Sequence, residues 1–134
     1  MNIKKIDPPR SFDVGVSGIT LEHCADVRLN PDEMITFVTP DGHEYDVVRK
    51  AWGYYATPSI DERLRVNGFR VALVQNSVSG RLYIVLVEEA QIAEWEQYSR
   101  LENLKVVSWL SDFVFHKDSG DCPKLRSRRD SSDK

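Results

Sequence analysis

Thr39-Pro-Asp-Gly42 lies between two strand-like runs, Glu33-Met-Ile-Thr-Phe-Val38 and His43-Glu-Tyr-Asp-Val-Val-Arg49, and this hairpin signal constrains the fold more than any other feature of the chain. Proline presets φ for the second turn position, and glycine tolerates the positive φ that closes the turn. A second polar, glycine-ended connection, Asn76-Ser-Val-Ser-Gly80, separates Phe69–Gln75 from Arg81–Val87, both rich in β-branched and aliphatic residues. The near-continuous apolar run from Leu82 to Val87 predicts the middle strand of a sheet, covered on both faces. Two hairpins in one short chain point to largely antiparallel pairing.

Upstream, Ser11 to Gly18 and Ile19 to Leu29 read as one or two strands, with Gly15 and Gly18 allowing a bend and Asn30-Pro-Asp32 forming a turn. Ser59-Ile-Asp-Glu62 has capping-box spacing after Pro58, and Asn67-Gly68 can stop a helix, which predicts one or two helical turns. The competing reading makes Leu64–Val66 and Phe69–Val71 a tight hairpin across Asn67-Gly68. Glu88 to Arg100 is the main helix: acidic residues fill its first turn, and Ile92, Trp95 and Tyr98 or Ser99 recur at three- and four-residue spacing. Leu104 to Leu110 reads as a last strand, with a short edge extension through Phe115.

These elements predict a β-rich α+β protein, with six or seven largely antiparallel strands in a bent sheet or partly open barrel and the helix over about 88–100 packed on it. Residues 1–10 form an N-terminal arm, 11–116 a single β-rich domain and 117–134 a polar tail predicted to be disordered. At 134 residues the chain is long enough for one core without disulfides or metal.

Composition excludes several classes. The chain is 41% apolar and 29% charged, and no apolar run approaches the roughly 20 residues of a membrane span. The beginning, Met1 to Arg10, lacks the apolar stretch of about 7–15 residues found in a secretory signal. With only Cys24 and Cys122 available, a reducing compartment agrees, and the expected location is the cytoplasm. Net charge is −3, but residues 117–134 carry six Lys/Arg against four Asp/Glu, leaving twelve against seventeen in the rest. An acidic body argues against nucleic-acid binding, which draws on accumulated cations.

The chemistry-bearing stretch is Asp46 to Pro58, where Arg49, Lys50, Trp52, Tyr54 and Tyr55 crowd together. Aromatic faces stack on sugars or bases, and cations meet phosphate or carboxylate. If Arg49 to Tyr55 is extended, Arg49, Ala51, Gly53 and Tyr55 share one face and Lys50, Trp52 and Tyr54 the other. The plainer alternative makes Trp52 and one tyrosine core residues and the cations an edge that blunts aggregation. Arg63, Arg65 and Arg70 would enlarge a basic pocket with Arg49 and Lys50, or else form a solvated face paired with Asp61 and Glu62.

No cofactor or metal is called for. His23, Cys24, Asp26, His43 and Glu44 match no metal spacing, and His23 and Cys24, adjacent on a strand, point apart. No serine sits in a nucleophile elbow, Cys24 has no base suitably directed, and Gly15-Val-Ser-Gly18 is followed by strand-like residues instead of the helix that a phosphate loop needs.

Tyr45 to Ser59, with its Arg49-Lys50-x-Trp52-Gly53-x-Tyr55-Ala56-Thr57-Pro58-Ser59 run, together with Arg63-Leu64, Gly68-Phe-Arg70 and Gly80 to Glu88, resembles a group of small bacterial proteins without assigned activity. Their genes lie among those for surface-polysaccharide or unusual-sugar biosynthesis, and the resemblance spans about residues 17–112. It implies a context, not a reaction. With the aromatic-cationic segment, it yields the leading expectation of an accessory domain binding a sugar or nucleotide-sugar-like anion. Two rivals stand beside it. One is a small carbohydrate isomerase or lyase using His43, Glu44, Asp46 or Tyr55 as acid and base. The other is an interaction module, pairing as a homodimer through an edge strand or recruiting a partner enzyme.

Overall fold

The computed structural model describes residues 1–112 in full and the backbone of 113–114 and 124–125. Strand β1 (Asn2–Val14) turns into β2 (Ile19–Arg28) through Gly15 and Gly18, whose φ values of +76° and +80° most side chains disfavour. Their antiparallel ladder runs from Asn2 opposite Arg28 to Lys5 opposite Ala25, then resumes at Arg10 opposite His23. The interruption falls where Pro8 and Pro9 have no N–H to donate. Residues 1–10, expected as an arm, are largely taken up in β1.

A second sheet has the order β3-β4-β5, from β3 (Met34–Val38), β4 (Glu44–Lys50) and β5 (Gly53–Ala56). Its first turn forms as the sequence predicts: the Gly42 N–H donates to the Thr39 carbonyl at 2.9 Å, and Gly42 takes φ +87°. Val48 is the buried apolar residue of this sheet. Both sheets belong to one compact unit, Met1–Thr57; the other unit is Pro58–Lys134.

In the second unit, the Ser59 hydroxyl accepts from the Arg63 N–H at 3.0 Å and the Ser59 carbonyl from the Leu64 N–H at 2.8 Å, starting α1 (Arg63–Val66). Gly68 at φ +90° ends it, so the helical reading of 59–68 prevails over the hairpin. The sheet has the order β7-β6-β8, from β6 (Phe69–Asn76), β7 (Leu82–Glu88) and β8 (Leu104–Trp109). The Asn76 side-chain oxygen holds the β6–β7 turn by accepting from the N–H groups of Val78 and Ser79, each at 2.9 Å. A 3₁₀ turn at Glu89–Gln91 leads into α2 (Ile92–Leu101), which lies against β7 and β8. The core gathers Leu64, Phe69, Val71, Ala72, Val74 and Val87.

The β-rich α+β class, the antiparallel pairing and the main helix are as the sequence predicts. Eight strands form three separate ladders of two, three and three, plus a two-residue pair between β9 (Phe113–Val114) and β10 (Lys124–Leu125); no closed barrel exists among the described residues. The placement of Leu82 to Val87 is corrected. These residues form an edge strand, and β6 is central, because β8 returns after α2 to the free side of β6. Aliphatic content marked burial at Val87 but not at Leu82 or Ile84, which are 57% and 62% exposed. Apart from the backbone of 124–125, the tail assigned to 117–134 lies outside the described residues. Among the described residues, no helix is long and apolar enough to cross a membrane.

Candidate functional site

Arg49, Lys50, Trp52, Tyr54 and Tyr55 come together on the β4–β5 hairpin. Lys50 pairs with Gly53, so Ala51 and Trp52 make a two-residue turn, with Gly53 at φ +148°. That turn changes the predicted division of faces. Alternation restarts when the chain doubles back, and residues directly opposite one another in an antiparallel ladder share a face. Val48 stands opposite Tyr55 and Arg49 opposite Tyr54. Lys50 and Tyr55 therefore share one face, while Arg49 and Tyr54 share the other.

Trp52 joins the first face, its ring 6.2 Å from that of Tyr55 with 23° between their planes, a stepped stack. Trp52 is 71% exposed and Tyr55 43% exposed, so the pair forms an open aromatic surface and Trp52 is not a core residue. Lys50 Nζ donates to Asp32 Oδ1 at 2.5 Å, and this hydrogen bond raises the ammonium pKa above its ordinary value. Further along the same face, Asp46 accepts from the hydroxyl groups of Thr36 at 2.6 Å and Thr57 at 3.5 Å. On the opposite face, the Arg49 guanidinium lies 5.5 Å from the Tyr54 ring centre and reaches the Gly53 carbonyl at 3.4 Å.

Arg63 and Arg70 belong to the second unit. Arg63 starts α1, beside an open hollow of about 540 Å³ that Asp61, Glu62 and Arg65 also line. Arg70, on β6, lies 4.0 Å over the Trp109 ring. Arg70 and Arg65 flank Asp112 at 3.9 and 3.8 Å. Asp112 is 7% exposed. Burial pushes its carboxyl above the ordinary range, opposed by the two guanidinium charges. Arg65 and Arg70 thus pair with Asp112, not with the Asp61 and Glu62 expected from proximity in sequence. Sequence reading missed Asp112 and Trp109, which approach Arg70 only through the β6–β8 pairing and the 3₁₀ turn at Leu110–Asp112. It also missed Asp32, whose place in the turn before β3 was the available signal.

The acid-base candidates lie on and beside β4. Glu44 is exposed on β4, and Asp46 is held by two hydroxyl groups. His23 Nε2 pairs with Asp26 at 2.9 Å, and the exposed Cys24 thiol donates to the Glu22 carbonyl at 3.5 Å. Among the described residues, no three His, Cys, Asp or Glu side chains gather in a way that could hold a metal ion. No family model, curated protein or solved structure matches the chain.

Proposed function

We propose that this β-rich protein is an accessory domain binding a sugar or a nucleotide-sugar-like anion in cytoplasmic polysaccharide biosynthesis, with the β4–β5 hairpin as its binding surface. The observation that carries the reading is the exposed Trp52–Tyr55 stack. Burying apolar rings is favourable, and rings left open to water at the tip of a hairpin gain by covering the C–H face of a sugar. On the opposite face of the same hairpin, Arg49 retains guanidinium donors beyond its contact with Gly53.

The test is thermal unfolding against nucleotide sugars, sugar phosphates and neutral saccharides. A ligand selective for the folded state stabilises it by about 2.7 kcal/mol at a hundredfold excess over Kd. A rise in midpoint with one sugar class, lost in Trp52→Ala, is the expected result. No shift with any sugar rejects the reading.

One observation favours interaction with another chain: β7 is an edge strand with exposed Leu82, Tyr83 and Ile84. Such an edge offers unpaired backbone groups to a second copy or to a partner enzyme. Sedimentation of the protein with and without Ile84→Lys checks it, since a charge on the edge would disperse an assembly built there.

A further inference from the structure

We infer that the ligand of the Trp52–Tyr55 surface is a neutral, polyhydroxylated sugar and not an anion, an inference that rests on the sugar-binding reading above. Strand register decides it. Residues 44, 46, 48 and 50 of β4 alternate with 45, 47 and 49, and the ladders to β3 and β5 run without interruption across them. Tyr55 lies opposite Val48 and Trp52 stacks on Tyr55, so the aromatic surface shares its face with Glu44, Asp46 and Lys50. Lys50 brings Asp32 to the same place. Three carboxylates thus accompany one ammonium, and that ammonium is already paired. The unpaired guanidinium capacity of Arg49 lies on the other face, with Tyr54.

A phosphate or uronate on the aromatic surface would meet net negative charge. A neutral sugar meets what it needs. Its C–H face covers the rings, and its hydroxyl groups, each both donor and acceptor, find a donor in Lys50 and acceptors in Asp32 and Asp46. Asp46 is two residues along β4 from Val48, about 7 Å, a spacing suited to one sugar ring beyond the stack. A quaternary ammonium would also favour carboxylates, but it is held by rings that surround it, and these two are inclined by only 23°.

Isothermal titration of the full chain is the test. The probes are neutral gluco-, galacto- and manno-oligosaccharides, oligogalacturonate, UDP-glucose and choline, at about 50 and 300 mM NaCl. A neutral series is expected to bind about tenfold or more tightly than either anion, with Kd changing less than about twofold with salt. Trp52→Ala is expected to weaken that binding about a hundredfold or more. Glu44→Gln and Asp46→Asn, each checked for folding, are expected to improve oligogalacturonate binding several-fold by removing repulsion, which a purely structural role would not do. Preference for UDP-glucose or oligogalacturonate that fades with salt would overturn this inference while leaving the sugar reading intact. Binding of choline alone, or of no saccharide, would overturn both.

Discussion

Both units set an arginine over an aromatic ring, and the Arg70–Trp109 and Arg49–Tyr54 pairs differ in almost every other respect. Arg70 lies 4.0 Å over Trp109, against a buried carboxylate, on the central strand of a sheet that also carries the core. Arg49 lies 5.5 Å from Tyr54 at the tip of a hairpin whose aromatics face water. Cation–π attraction is worth about 0.5–1 kcal/mol at exposed sites and about 2 kcal/mol or more when desolvated. The same residue types therefore lie against a buried carboxylate in one unit and open to solvent in the other. Substitutions that separate stability from binding should divide along this line.

The largest effect is expected at Leu64, which is fully buried between α1 and the sheet. Leu64→Ala should cost about 2–5 kcal/mol through lost burial and a residual cavity, read by chemical denaturation. Arg70→Leu comes next, at about 2–3 kcal/mol, because it removes one of the two guanidinium groups beside the buried Asp112. This loss should depend on pH. Asp112 has a raised carboxyl pKa, so between the ordinary Asp range and the raised folded value the folded state binds more of that proton than the unfolded chain, and stability falls as pH rises through this window. Removing a guanidinium raises that folded value further and widens the window. The deficit of Arg70→Leu should therefore be smallest in acid and grow toward neutrality. A deficit constant across pH would show that Arg70 acts by packing on Trp109 and not by its charge.

What could be read beforehand follows from how far apart the deciding residues are. Thr39-Pro-Asp-Gly42 and Asn76 to Gly80 carry their instructions within five residues, and both turns form where predicted. The helix is equally local in its signal. Whether Leu82 to Val87 lies at the centre or the edge depends on β8, some twenty residues later, and an aliphatic run looks alike in both places. The Asp112 cluster depends on still longer separations. At the candidate site, all five residues of the hairpin were legible as a group, but their division between faces was not. Ala51-Trp52 is not an Asn-Gly type of turn signal, so nothing in the segment announced the reversal that puts Tyr55, instead of Tyr54, with Trp52.

That reversal can itself be tested at Gly53, whose φ of +148° few L-residues adopt and where an added Cβ would meet no atom within 4 Å. Gly53→Ala should cost about 1–2 kcal/mol from backbone strain alone, and should also weaken sugar binding by shifting Trp52 relative to Tyr55. Trp52→Ala is the smallest change expected in stability, under about 0.5 kcal/mol, because a ring 71% exposed on a turn contributes little to the core. Yet it should abolish the sugar-dependent rise in unfolding midpoint. The contrast is sharpest between two variants: Arg70→Leu should lower stability and keep the ligand response, whereas Trp52→Ala should leave stability and remove the ligand response. If Trp52→Ala destabilises the protein by as much as Arg70→Leu, its ring is a structural prop like Trp109, and the hairpin loses its claim to be a binding surface.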